Sequence, residues 1–145
     1  MDDIRLIRDP KELSGTLYIE VLPGKYAGRC WNHGSLFVPE EVFGCLEQLI
    51  ERRETRYDHW AFTEIARETW ELLIPDFVAL ANALENASGI DDIRGQLRFI
   101  FRASESRFAT NFRGNADRLA ALIRELVAWI NDQLSRHDMI AILGI

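Results

Sequence analysis

Apolar positions recur along this chain with two different periods, and the switch from one to the other predicts its elements. Residues 15–22, GTLYIEVL, put Leu17, Ile19 and Val21 on one side and Tyr18 and Glu20 on the other, the period of a half-buried strand. Pro23-Gly24 then suits a type II turn, with proline presetting the first central φ and glycine supplying a positive φ at the second. Residues 26–31 and 35–38 read as two further short strands around Asn32-His33-Gly34, which completes a small antiparallel meander. Ahead of it, residues 4–7 form a short extended piece that Asp9-Pro10 turns away.

From Pro39 the period becomes helical. Proline is favoured at a first helical position, and Glu40 and Glu41 follow where the helix dipole stabilises negative charge. Val42, Leu46, Leu49 and Ile50 form the buried stripe, with Phe43 and Cys45 beside it, and the helix ends by Thr55. The longest helical pattern lies in residues 57–84, through Ile65, Leu72, Leu73, Phe77, Leu80 and Leu84. Thr63 is its expected N-cap, Pro75 its expected kink, and residues 86–89 its end. Residues 93–103 fit strand and helix alike, with helix preferred. Asn115 is the expected cap of a last helix whose stripe runs through Leu119, Leu122, Leu126, Ile130 and Leu134. The closing MIAILGI is an unbroken apolar run and predicts a buried terminal strand joining the meander. The expected fold is a single α+β domain spanning residues 1–145. Its small antiparallel sheet combines the N-terminal meander with the C-terminal strand, packed with three main helices starting near 39, 63 and 115.

Composition narrows this picture. A chain of 145 residues fits one domain, and its 48% hydrophobic and 28% charged content is that of a globular protein, which argues against disorder. The opening MDDIRLIRDPKEL lacks the apolar core of a signal peptide, and no apolar run approaches the ~20 residues of a membrane span. Two cysteines, Cys30 and Cys45, allow at most one disulfide and suit a cytoplasmic protein with reduced thiols. The net charge of −6 is uneven. Residues 40–92 carry thirteen acids against four arginines, whereas residues 93–145 carry five acids against eight arginines. An acidic surface of this kind repels phosphate backbones and suits a basic protein partner. Pairing between the acidic middle and the arginines of the last third is the competing explanation.

No motif supplies a catalytic constellation. Cys30-x-x-His33 has metal-ligand spacing but no second ligand pair, so it reads as a small apolar cysteine and a turn histidine, and no cofactor is expected. Glu51-x-x-Glu54 and Glu68-x-x-Glu71 have the spacing with which helical nucleotide pyrophosphohydrolases hold Mg²⁺, without the fuller carboxylate pattern of those enzymes. Arg94, Arg98 and Arg102 share a face, yet an acidic chain with a pI near 5.1 is not a nucleic-acid binder by composition. The positions best placed for a partner are Tyr57 and Trp60, aromatics in a polar entry loop beside Asp58. Glu64, Glu68 and Glu71 complete this candidate site, spaced to form one acidic line on the predicted helix.

Two stretches, YDHWAFTEIARETWELL and LSRHDMIAILGI, resemble the small immunity proteins that bacteria encode beside polymorphic or contact-dependent-inhibition toxins. That resemblance implies a non-enzymatic, compact cytoplasmic α+β or α domain, often acidic, that binds a toxin domain and blocks it. A basic toxin domain is the partner expected from the acidic face.

Overall fold

The computed structural model of the chain describes residue 1 and residues 3–145. Among these, the main elements follow in the order β1 (Tyr18–Pro23), β2 (Leu36–Pro39), α1 (Glu40–Arg53), β3 (Phe62–Ala66), α2 (Arg67–Asn86), α3 (Arg102–Thr110), α4 (Phe112–Leu134) and β4 (Met139–Leu143). Short 3-10 turns occupy Pro10–Glu12 and Ile90–Ile93. The fold is α+β, with one antiparallel sheet in the order β2-β1-β4-β3.

The apolar terminal run explains that order. A strand without a polar face must be covered on both sides and flanked by neighbours, and β4 lies between β1 and β3 with four of its five residues buried. Ile19, Val21, Leu36, Val38, Ile65, Ile140 and Ile142 point from the sheet into the main core. There they meet the stripes of α1, α2 and α4, including Leu46, Phe77 and Leu126. Helices α2 and α4 pack along each other beneath the sheet. No helix of the described residues is long and apolar enough to cross a membrane.

Several local expectations are corrected. Strand β1 is buried on both faces instead of one, and Leu17, expected in its core, stands 62% exposed just before it. Residues 26–31 form a loop and not a strand, because their amides turn to side chains instead of a neighbouring strand. Thr63 does not cap a helix. Residues 62–66 form β3, where Thr63 and Ile65 are buried and Phe62, Glu64 and Ala66 are exposed. Those two β-branched residues suit a pleated edge, and Ile65 satisfies both periods at once.

The helix therefore begins at Arg67, and its stripe is Trp70, Leu73, Phe77, Leu80 and Leu84, leaving Leu72 exposed. It runs through Pro75. Residues 94–101 are neither helix nor strand. The left-handed Gly95 breaks the first period, and Arg94 and Arg98 reach to acids elsewhere. Asn115 lies inside α4, and its side-chain amide donates to the carbonyls of Arg107 and Phe108 at the end of α3. It closes one helix instead of opening the next.

Candidate functional site

The helices cover one face of the sheet, and the other face is only partly covered. Register places Phe37, Glu20, Leu143 and Phe62 in one row across all four strands on that outer face, with Leu22, Ala141 and Glu64 in the next. Residues 25–35 fold over part of it. Gly24 takes a φ of +79° at the end of β1 and turns the chain outward, where Tyr26 and Cys30 pack on Leu22, Ala141 and Leu143. The Tyr26 ring meets Phe62 edge-on at 4.8 Å, and its N–H donates to Glu64 Oε2 at 3.0 Å.

Glu20 fastens this loop. Its carboxylate is almost wholly buried and accepts four hydrogen bonds: from the N–H of Trp31 at 2.6 Å, the N–H of Asn32 at 3.0 Å, the Asn32 side-chain amide at 2.9 Å and the Ser35 hydroxyl at 2.7 Å. All four are donors, the set an acceptor-only carboxylate takes. They hold Trp31 at a φ of 63°, a left-handed backbone that bulky residues rarely adopt. The Trp31 ring stacks on Phe37, with centroids 6.0 Å apart.

On the opposite side stands Trp60, 69% exposed. Its loop is anchored to α1 by a buried polar clasp. Glu40 and Glu47 lie two turns apart on one side of that helix. His59 Nε2 is 2.8 Å from Glu40, and His59 Nδ1 is 2.8 Å from both oxygens of Glu47. The Tyr57 hydroxyl donates to Glu47. Both ring nitrogens face carboxylates, so only an imidazolium donates to both. Burial pulls the His59 pKa down, but the hydrogen bonds and charges of Glu40 and Glu47 outweigh it and hold the ring above its ordinary value. Burial, reinforced by Glu47, pushes the Tyr57 hydroxyl up. The side chains of His59, Glu40 and Glu47 are 14%, 8% and 0% exposed, so the clasp ties the 57–60 loop to α1 largely out of contact with solvent.

From this anchor the Trp60 ring packs edge-on against His59 at 4.8 Å, and Asp58 accepts the Trp60 N–H at 2.8 Å. The end of the chain runs alongside, with Gly144 and Ile145 donating to the carbonyls of Ala61 and His59. A Cβ at Gly144 would lie 2.2 Å from the His59 oxygen, so this approach requires glycine.

Between these walls lies a cleft of about 370 Å³, with Glu20 and Leu143 at its base and Tyr18, Trp31, Trp60 and Phe62 around it. Of the residues expected to bind a partner, Trp60 lines this cleft and Glu64 shares the outer sheet face. Tyr57 is buried in the clasp. Glu68 and Glu71 stand exposed on the first turns of α2. The helical line through 64, 68 and 71 does not form, because Glu64 belongs to a strand.

The competing explanation, internal pairing, holds for other acids. Glu41 pairs with Arg107, Glu51 with Arg98, Glu85 with Arg124, and Asp91 with Arg94. Asp58, Glu64, Glu68 and Glu71 take part in no ion pair among the described residues. Arg56, close to Glu64 in sequence, bonds the Glu54 carboxylate and the Glu64 backbone oxygen.

The remaining candidate chemistry disperses. Glu51 and Glu54 of the proposed Mg²⁺ pairs are each held by an arginine. Among the described residues no three His, Cys, Asp or Glu side chains converge in a way that could hold a metal ion. Both cysteines are free. The Cys45 thiol is pushed up to about 12 by burial and the charges of Glu41 and Glu47. Cys30, at the cleft, is raised by burial and by Glu20.

Fold and site together define an α+β protein with an aromatic cleft on the uncovered face of its sheet. Compared with protein-family models, curated proteins and solved structures, the chain matches none.

Proposed function

We propose that this chain is a non-enzymatic binding protein of the immunity type, which neutralises a bacterial toxin domain by occupying a basic surface on it. The observation that carries this reading is the sorting of its acids. Much of the acidic middle is consumed by arginines of the same chain, while Asp58, Glu64, Glu68 and Glu71 make no ion pair among the described residues. Of these, Asp58 flanks the exposed Trp60, and Glu64 sits on the sheet face beside Phe62. Aromatics rigidly held among unpaired acids give an interface both its anchors and its electrostatic steering. A toxin that cuts nucleic acid is basic because it must approach phosphates, and this face complements it.

The test is co-expression in a bacterial host with the toxin domain encoded beside this chain. Growth should be restored by the wild type and lost with the double variant Glu64→Lys/Glu68→Lys, whose far-ultraviolet circular dichroism should match the parent. If the folded double variant protects as well as the parent, the acidic face is not the binding face. If the wild type itself gives no protection, the immunity reading fails.

A further inference from the structure

We infer that the cleft on the open sheet face is a receptor for a single arginine side chain of the partner protein, held between Trp31 and Trp60 over the buried charge of Glu20. The inference rests on the open face being the binding face, and it goes further by naming what enters it. Three observations converge. The walls are aromatic, and indole faces attract cations; the planar guanidinium stacks on them more readily than a lysine ammonium does.

The base carries a carboxylate, Glu20, that makes no ion pair among the described residues. Glu20 has its hydrogen-bonding capacity filled by amides and a hydroxyl, which bring no net charge. Arg29, in the same loop, bonds the Asn32 side-chain oxygen and not the carboxylate. A carboxylate that is only 2% exposed yet lines the cleft projects a weakly screened field into it.

The third observation is rigidity. Trp31 is fixed in a left-handed backbone by the carboxylate itself and backed by Phe37, while Trp60 sits beside the His59 clasp. A bulky residue held in a sparsely populated conformation points to a site built for use. At about 370 Å³ the cleft lies at the small end of ligand pockets, about 300–1,000 Å³, the scale of a side chain instead of a large cofactor.

The experiment is a titration of the full ¹⁵N-labelled chain, followed at its four tryptophan indole N–H signals, with N-acetyl-arginine-N-methylamide. Its citrulline analogue, of nearly the same shape but uncharged, is the second arm, and tetramethylammonium chloride is the third. Saturable shifts are expected at Trp31 and Trp60 while the buried Trp70 and Trp129 stay unmoved, with the citrulline analogue at least about fivefold weaker. Trp60→Ala should weaken the arginine probe by a similar factor, and Trp60→Phe should restore most of it.

Equal binding of arginine and citrulline analogues would make the cleft an apolar dock and overturn the inference. So would binding of tetramethylammonium alone, or the lack of any saturable shift. The probe requires no partner, so an unsuccessful search for a toxin leaves this result standing. A toxin that binds while the probe does not would overturn the inference alone.

Discussion

Replacing His59 by alanine removes the cation that lies between Glu40 and Glu47, and the structure sets the size of the effect. Glu47 is wholly buried and Glu40 nearly so, which leaves two carboxylates facing one cavity with no counter-charge. Breaking a buried ion pair by removing one partner costs about 3–5 kcal/mol. His59 is itself 14% exposed, so water can enter the vacated space, and the Tyr57 hydroxyl still serves Glu47; the expected cost is the lower end, about 3 kcal/mol. For a chain of this length that corresponds to a fall of about 10 °C in Tm.

The effect carries a pH signature. The folded-state pKa of His59 is raised above the unfolded value of about 6.5, so the folded state binds the extra proton. The clasp's contribution is fully present below about pH 6.5 and is lost as pH rises through the folded-state pKa. Urea denaturation followed by tryptophan fluorescence, at steps from pH 6 to 9, reads both quantities. The wild type should lose stability as pH rises above about 6.5, and the deficit of His59→Ala should be largest at pH 6 and shrink as pH rises. A variant within about 0.5 kcal/mol of the wild type at pH 6 would refute a charged clasp, since that is the range of ordinary surface changes.

Leu126, buried at the centre of the α4 stripe, should cost about 2–5 kcal/mol when replaced by alanine, read as a lower urea midpoint with unchanged slope. Glu20→Gln presents an amide to donors that now meet an acceptor-only carboxylate. It should cost about 2–3 kcal/mol and speed amide exchange at Trp31 and Asn32 more than in the helices. Glu64→Lys/Glu68→Lys should lower folding stability by no more than about 1–2 kcal/mol, because neither acid has an ion-pair partner among the described residues and the one bond lost is the exposed Tyr26 N–H to Glu64. It should slow association with a basic toxin domain markedly at low salt, and the difference should close near 1 M, where the screening length falls to about 3 Å.

The parts of the fold legible in the sequence are those whose period admits one reading. The three- and four-residue steps from Leu119 to Leu134 and the unbroken run at the terminus each specify an element and its burial, while the alternation of Ile19 and Val21 specifies a strand and its core-facing side but not the cover over its other face. Residues 62–66 resist this because Ile65 stands at a spacing from Leu73 that serves a helix and a strand equally; what decides is the edge that β4 offers, a tertiary fact. The site is less legible still. Trp60 is marked by its polar setting, but Tyr57 in the same loop turns inward to Glu47, ten residues back in the chain. Glu20 looks like an ordinary outward residue of an alternating strand. Its partners lie eleven to fifteen residues away, in a loop whose path no local pattern records. Exposed Trp31 and Phe62 carry no signal until the sheet brings them to one face.

Hydrogen–deuterium exchange on a complex with the proposed toxin partner tests the central claim most directly, because it reports which face of the chain the partner covers. Binding on the open face predicts slowed exchange in residues 29–32 and 58–64, with the exposed side of α4 unchanged. Protection confined to the helical layer, with the cleft exchanging as it does in the free chain, would contradict the account.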